Sequence, residues 1–418
     1  MNILFVSPFD LVPQRLWGPT ARLHALAKEF RAMGHIAILA GGEPYTGQKA
    51  EALDGVPFAH LPTAPFHRYP YDDGVREKIM ARWKPFFLPR VLWLTVKRVA
   101  AIRKICRKEN IEVIYLGRTF PETALACFII RLFTGIPVVV DWDDVEGLMG
   151  FSSKMRLPLW MQYLYTFCET FFAKRANAVV AASAFLCEYA RDVGVQQQKL
   201  FYAPTFGDHK MFTPNGRSTS TDSPTLFYAG NLRSDNGLNM ELLIETFALV
   251  KMSVPGARLL VVGGGDLIGS GVKPGPLPWL AQKLGVADSV EFTGDIPHRQ
   301  MPALLERADI CLALFPVNVI TLAKSPIKVY EYLCAGKPVV ARAVGEINGC
   351  ITDCVNGILV YTDSPNEYAQ KIVAALKDPD RLDKVGENAR RSVEEQFNWP
   401  ASARKALEAC EAALAAAK

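Results

Sequence analysis

The sequence predicts an α/β protein of two doubly wound parallel-sheet domains, and three observations carry that reading. Short apolar runs alternate with helical patterns from end to end, the rhythm of strand–helix–strand units with helices on both faces of a sheet. The alternation is interrupted by one polar stretch, Gly207 to Pro224, whose Gly, Pro, Ser and Thr content marks a linker. The 418 residues also exceed what a single hydrophobic core usually serves.

In the first half, runs at 2–7, 36–40, 57–61, 112–116, 137–141, 178–182 and 200–203 read as strands. Helices are expected over about 20–33, 79–108, 121–133, 154–175 and 184–192. A second series opens at Thr225-Leu226-Phe227-Tyr228-Ala229-Gly230 and continues with strands at 258–262, 289–292, 309–314, 338–342 and 357–361. The expected boundaries are 1–204 for the first domain, 205–224 for the linker and 225–396 for the second domain. Two such halves resemble Rossmann-like domains facing a cleft, and open parallel sheets bind ligands outside the carboxyl ends of their strands.

Composition narrows the class. Half the residues are hydrophobic and 21% are charged, so the chain is globular. Nine cysteines, odd in number and mostly inside apolar runs, fit reduced core thiols in the cytoplasm. Cys350 and Cys354 could share a helix face, but no second pair completes a zinc site. Met1 leads straight into Ile3-Leu4-Phe5-Val6, with no secretory signal. No run reaches the ~20 apolar residues of a spanning helix. A net charge of +5 does not imply nucleic acid.

The stretch Ser325-Pro326-Ile327-Lys328-Val329-Tyr330-Glu331-Tyr332, closed by Ala335-Gly336-Lys337-Pro338, carries the functional signal. Ser325 reads as an N-cap with Pro326 at the first helical position, Gly336 as a left-handed C-terminal cap and Pro338 as a stop. Free N–H groups and the positive dipole end make an anion site, with Lys328 and Glu331 on one face beside it. A cation and a carboxylate there suit a nucleotide diphosphate and its ribose. The plainer alternative is an ordinary capped helix with an exposed Lys328–Glu331 ion pair. Gly263-Gly264-Gly265-Asp266 invites a dinucleotide reading, which fails because Ile268 stands where the third glycine belongs.

Several segments together resemble glycosyltransferase family 4, retaining enzymes of the GT-B fold. Asp208 with Phe212-Thr213-Pro214 resembles that family's linker, Tyr228-Ala229-Gly230-Asn231 its opening strand and loop, and Arg258 to Gly263 the next strand. Phe292-Thr293-Gly294 resembles the loop that receives the nucleotide base, and Phe397-Asn398-Trp399 the start of a C-terminal helix, here 397–418, that crosses back to the first domain. Glu331 falls at the second glutamate of the family's Glu-x7-Glu, which holds ribose hydroxyls. The first falls on Ala323, and the usual Arg and Lys after the opening glycine are Asn231 and Asn236. Arg233, Lys324 and Lys328 lie close enough in sequence to substitute. A subset of the family is similar, with Ser-Pro-x-Lys-x-x-Glu and an Asn after that glycine; inactivity is the alternative.

The resemblance implies transfer of a hexose-type sugar from a nucleotide-sugar co-substrate to a hydroxyl of a glycan, saccharide or lipid-linked acceptor. Negative charge grows on the leaving diphosphate, so preorganised donors lower the barrier; Lys328, the helix N-terminus and Arg233 are the candidates, with no metal needed and no other cofactor. The donor set comprises Gly18, Gly230, Asn231, Thr293, Gly294, Ser325, Ile327 and Glu331. Gly18, in Trp17-Gly18-Pro19-Thr20, lets the backbone approach the donor phosphate, unless it is a plain turn glycine. Asp141-Trp142-Asp143-Asp144 follows a strand and could be read as the Asp-x-Asp metal site of the other glycosyltransferase fold, but that fold has no second half like 225–395. A His-Asp pair often sits here in relatives. The resemblance implies that Asp143 or Asp144 orients the acceptor hydroxyl or donor sugar and accepts a proton; the alternative is an Asp that caps the next helix. Glu346 lies in a loop that lines the donor site in relatives. His35 sits in a structural Gly-His turn and His24 packs in a helix, whereas His60, His67, His209 and His298 have no nameable partner.

Residues 79–108 set Trp83, Phe86, Phe87, Leu92, Trp93 and Leu94 beside Lys84, Arg90, Lys97, Arg98, Arg103, Lys104, Arg107 and Lys108. Basic residues beside aromatics suit a helix resting on an anionic membrane surface, and Met155 to Met161 is similar; the alternative is core aromatics with solvated charges. Two rival functions share the fold. A sugar-nucleotide epimerase would act without an acceptor, and a nucleotide-sugar-binding protein would bind without turnover.

Overall fold

The computed structural model describes residues 1–11, 18–43, 49–63, 87–155, 157–214, 223–230, 232, 239–265 and 275–417. The chain divides into two compact units, Met1–Pro204 with Ser402–Lys418, and Thr205–Ala401. The C-terminal helix from Ser402 onward is thus counted with the first unit.

The first unit contains strands β1 (Asn2–Asp10), β2 (Ile36–Gly42), β3 (Ala52–Leu53), β4 (Val56–Leu61), β5 (Val113–Gly117), β6 (Val138–Trp142), β7 (Ala178–Ala181) and β8 (Leu200–Tyr202). They form one sheet in the order β3-β4-β2-β1-β5-β6-β7-β8, parallel throughout except for the short β3–β4 hairpin. Its helices are α1 (Gly18–Ala32), α2 (Phe87–Lys108), α3 (Pro121–Thr134), α4 (Phe151–Lys154), α5 (Leu159–Arg175) and α6 (Ala184–Asp192). The expected helix over 154–175 is two helices, because Pro158 lacks the N–H that would continue the first and instead opens the second. The part of the 79–108 helix before Phe87 lies outside the described residues.

The second unit has α7 (Glu241–Ser253), α8 (Pro276–Lys283), α9 (Met301–Glu306), α10 (Val319–Ala323), α11 (Ile327–Cys334), α12 (Ile347–Cys350), α13 (Pro365–Leu376) and α14 (Pro379–Glu395). They pack on β9 (Thr225–Ala229), β10 (Arg258–Val262), β11 (Val290–Phe292), β12 (Ile310–Ala313), β13 (Val339–Arg342) and β14 (Ile358–Val360), an all-parallel sheet in the order β11-β10-β9-β12-β13-β14. The last helix, α15 (Trp399–Ala415), spans the junction of the two units in sequence. Strands such as β9 and β12 are almost wholly buried, as parallel strands covered by helices on both faces must be.

Residues 205–214, expected as linker, are counted in the second unit. Arg390 Nη1 on α14 donates to the carbonyl oxygens of His209 at 3.0 Å, Phe212 at 2.8 Å and Cys334 at 2.7 Å, and Phe212 is fully buried. Satisfying three otherwise orphaned carbonyls with one guanidinium fixes this segment against the end of α11.

Candidate functional site

In the second sheet the strand order reverses between β9 and β12, so those neighbouring carboxyl ends form the topological switch point where open α/β sheets take ligands. Lys328 reaches it. Its Nζ lies 4.0 Å from the centroid of the Tyr228 ring on β9 and 4.8 Å from that of Phe315, just past β12. Lys328 is half-buried and makes no hydrogen bond or ion pair among the described residues. Burial, reinforced by the like charge of Lys324 and only partly opposed by Glu331, pulls its pKa down to about 7.

Helix α11 presents Lys328 from its first turn, and no side chain caps that turn. The capping role expected of Ser325 is a misreading. Pro326 is the N-cap, while the Ser325 hydroxyl accepts from Thr205 N–H at 3.0 Å and donates to Thr205 O at 2.9 Å. A long-range partner takes the oxygen that local chemistry would have aimed at the helix. The far end follows expectation: Gly336 is left-handed at φ 64°, Gly336 N–H reaches Leu333 O and Lys337 N–H reaches Tyr332 O, both at 3.0 Å, the paired bonds of a Schellman cap. Tyr332 pins the helix to the sheet, its hydroxyl accepting from Ala229 N–H at 2.8 Å.

Glu331 does not pair with Lys328. Its Oε1 lies 2.7 Å from His298 Nε2, a partner the sequence could not name, since His298 belongs to the loop after β11. The hydrogen bond to Glu331 raises the His298 pKa, against burial. Ala323, where the family's first glutamate would fall, ends α10 and is fully buried. Glu346 is also buried, at the N-terminus of α12.

Three loops at the strand ends are laced together. Gly230 N–H donates to Val262 O at 2.9 Å, Gly263 N–H to Gly294 O at 3.0 Å and Gly264 N–H to Asp295 Oδ1 at 2.9 Å. Gly263, at φ 138°, lies so close to its neighbour that a Cβ there would stand 1.8 Å from Gly230 O; only glycine fits. Thr293 N–H is spent on Val261 O at 3.0 Å and its hydroxyl donates to Gly294 O at 2.9 Å. The structure thus gathers Lys328, Ile327, Glu331, Gly230, Thr293 and Gly294 around the carboxyl ends of one sheet. Asn231, Arg233 and Asn236 lie outside the described residues, as do Asp266, Ile268 and His67.

The first unit holds the remaining candidates. Gly18 begins α1 at φ 40°, exposed, with no atom within 4 Å of where a side chain would start. Asp141 is internal, held by Arg22 Nε and Nη2 at 2.8 Å each and by the Tyr115 hydroxyl at 3.2 Å. Asp143 and Asp144 instead surround Arg118, whose Nε lies 2.6 Å from Asp143 Oδ1 and whose Nη2 lies 3.4 Å from Asp144 Oδ2. Arg118 Nη1 also bonds Glu146. Neither aspartate caps the next helix, since α4 starts after Gly150 with no side-chain cap. Burial lifts Glu146 to about 7, and lifts nearby Glu169, which accepts from Trp142 Nε1 at 3.0 Å, to about 8. Sequence reading missed Arg118, Glu146 and Glu169; a single arginine after β5 gives no signal of the carboxylates it will meet. No group of three or more His, Cys, Asp or Glu side chains among the described residues is arranged to hold a metal. His60 Nε2 and His24 Nε2 donate to the backbone oxygens of Ala50 and Leu53, and Cys354 lies beyond the end of α12 rather than on it.

Comparison with known proteins agrees with this architecture. Residues 18–205 match the family model "Glycosyl transferase 4-like domain" and residues 213–392 match "Glycosyl transferases group 1". A D-inositol 3-phosphate glycosyltransferase from Segniliparus rotundus is 30% identical over 246 residues, 57% of this chain and 52% of that protein; the chain spans about half or less of the length of the first such relatives it matches. Among solved structures, a sucrose-phosphate synthase from Thermosynechococcus elongatus aligns over 99% of each chain with a TM-score of 0.74 at 20% identity. Anabaena HepE, in complex with UDP-glucose, aligns over 98% of each chain with a TM-score of 0.69 at 18% identity. At those identities the likeness establishes the fold. The chain therefore has the GT-B fold, pairing a glycosyl transferase 4-like domain with a glycosyl transferases group 1 domain.

Proposed function

We propose that the protein is a retaining glycosyltransferase, moving a hexose-type sugar from a nucleotide-diphosphate donor to a hydroxyl of a glycan, saccharide or lipid-linked acceptor without a metal ion. The observation that carries this is the Lys328 ammonium at the β9–β12 switch point, beside the uncapped first turn of α11 and one turn from the buried Glu331 carboxylate. A fixed cation and backbone N–H groups meet the charge that grows on a departing diphosphate, and losing one such donor typically costs ~3 kcal/mol of barrier lowering. Glu331 takes the ribose hydroxyls through the oxygen that His298 leaves open. Thr293 and Gly294 receive the base, Ile327 and Gly230 offer backbone to the phosphates, and Ser325 holds the approach to α11. Arg233 and Asn231 keep the donor role that the sequence gives them. Gly18 is assigned to the donor phosphate, and Asp143 with Asp144 to the reacting sugars. HepE, of the same fold, is a protein seen with UDP and with UDP-glucose, which favours a nucleotide-sugar donor here.

A thermal-shift screen with UDP, GDP, ADP and CDP and their sugars tests the reading, because a ligand that binds only the folded state raises the melting point. A shift with at least one donor, followed by acceptor-dependent release of nucleotide and a product of retained anomeric configuration by NMR, is the expected result. No shift with any of them overturns it.

We further assign a peripheral contact with anionic lipid at the cytoplasmic face to α2 and α5. Leu88, Leu92, Trp93 and Val96 are exposed on α2, and Leu159, Trp160, Tyr163 and Phe167 on α5, with Trp160 5.6 Å from Phe87 between ring centroids. Lys97, Arg103, Lys104, Arg107 and Lys108 are exposed along the same α2. Arg98 is not part of that face: it is buried and donates to Pro62 O and Thr123. Leu94 is likewise core.

A further inference from the structure

Tyr228, near the end of β9, is 1% exposed, and its hydroxyl has no hydrogen-bond partner among the described residues. Leaving a buried hydroxyl unsatisfied costs about 1–3 kcal/mol, so the group needs an explanation that the strand itself does not supply. The neighbouring tyrosine of the site behaves differently, for the Tyr332 hydroxyl is occupied by Ala229 N–H.

The surroundings indicate what Tyr228 is aimed at. At Gly230, the two atoms nearest the point where a side chain would begin are Lys328 Nζ at 3.0 Å and the Tyr228 hydroxyl oxygen at 3.1 Å. Two polar groups without hydrogen-bond partners among the described residues therefore converge on the gap that the glycine leaves. Both are hydrogen-bond donors at neutral pH, and both stand at the β9–β12 switch point beside the uncapped α11 turn. An ammonium and a hydroxyl that can donate beside it suit an anionic oxygen, toward which both can point a proton.

We propose that Tyr228 is a donor-binding residue whose hydroxyl donates a hydrogen bond to a phosphate oxygen of the nucleotide diphosphate that Lys328 holds by charge. The proposal rests on the donor-site reading above and adds to it the residue that satisfies itself only when the ligand is bound. Gly230 is required because any side chain there would occupy the space between the two donors.

The test uses the full chain, wild type and Tyr228→Phe, titrated by calorimetry with whichever of UDP, GDP, ADP and CDP wild type binds most tightly, and with the matching nucleoside. The phenylalanine variant should bind the diphosphate about tenfold or more weakly, the scale of one hydrogen bond to a charged group. It should bind the nucleoside as wild type does and, without ligand, melt at the same or a higher temperature. Equal diphosphate affinity in both proteins overturns the proposal, and so does an equal loss for nucleoside and diphosphate, which would mark a general disturbance of the site. If wild type binds none of the four diphosphates, the donor-site reading itself falls, and this assignment with it.

Discussion

His298 Nε2 lies 2.7 Å from Glu331 Oε1, joining the loop after β11 to α11. The carboxylate is only 8% exposed whereas the imidazole is 58% exposed, so the histidine stands on the open side of the glutamate and, in the donor-site reading proposed above, fixes which oxygen remains for a ribose. Phe212 steadies the ring edge-on, with centroids 5.6 Å apart.

The hydrogen bond to Glu331, the largest influence, raises the His298 pKa above its usual 6.5. A raised folded-state value means that the pairing is fully present below the unfolded value and fades as pH rises through the folded one. His298→Ala should leave the fold intact, weaken nucleoside binding several-fold near pH 6 and flatten the pH dependence of that binding. His298→Gln, which keeps a donor of similar reach, should restore affinity without the pH dependence. Affinities of all three proteins that match at every pH would show that His298 does not position Glu331.

Lys328 titrates in the opposite sense. Its folded-state pKa, lowered to about 7 from 10.5, means that the unfolded chain holds the extra proton between those values, so this group makes the ligand-free protein more stable as pH rises across that window. A bound diphosphate favours the ammonium and reverses the balance. Binding should therefore take up a proton above about pH 7, and affinity should fall as pH rises beyond it. Calorimetry in two buffers of different ionisation enthalpy measures the uptake directly. Lys328→Met should abolish it, and Lys328→Ala should reduce turnover more than affinity; an equal loss in both would contradict a transition-state role.

In the first unit, the Arg118 guanidinium bonds Asp143, Asp144 and Glu146 together. Removing one partner from a buried ion cluster leaves uncompensated charge, typically a cost of about 3–5 kcal/mol. Arg118→Met should therefore destabilise the protein by that order in urea unfolding. Glu146, already lifted to about 7, binds a proton more readily in the folded than the unfolded state, so acid relieves the crowding. The destabilisation should be smaller near pH 6 than near pH 8, and a loss independent of pH would mean that Arg118 acts by packing alone.

Sequence periodicity located most strands to within a residue or two, because parallel strands buried on both faces, such as β10 (RLLVV) and β6 (VVVDW), are unbroken apolar runs; β1 runs three residues past its expected end and the two-residue β3 was not anticipated. The Gly336 cap was equally legible, being decided by residues that touch it in sequence. What escaped was chemistry between distant segments. Ser325 looked like a cap until Thr205 claimed its hydroxyl, and His298 looked idle until the fold brought it to Glu331. Tyr228 read as strand core because nothing in a β-strand pattern distinguishes a satisfied hydroxyl from one left open.

The exposed apolar residues of α2 and α5 separate two accounts of the first unit's surface. Lone exposed hydrophobics need no explanation, but a set spread over two helices and flanked by five exposed cations on α2 matches both requirements of interfacial binding, apolar insertion and attraction to anionic headgroups. In vesicle flotation the protein should rise with anionic vesicles at low salt and stay down with neutral ones. Leu92→Glu with Trp93→Glu should abolish flotation at any salt, while Arg103→Glu with Arg107→Glu should weaken it most at low salt, where charge is least screened. Since these side chains face solvent, the variants should melt within about 1 kcal/mol of wild type. Failure of the wild-type protein to float with anionic vesicles at low salt would end the membrane assignment and leave the donor site untouched.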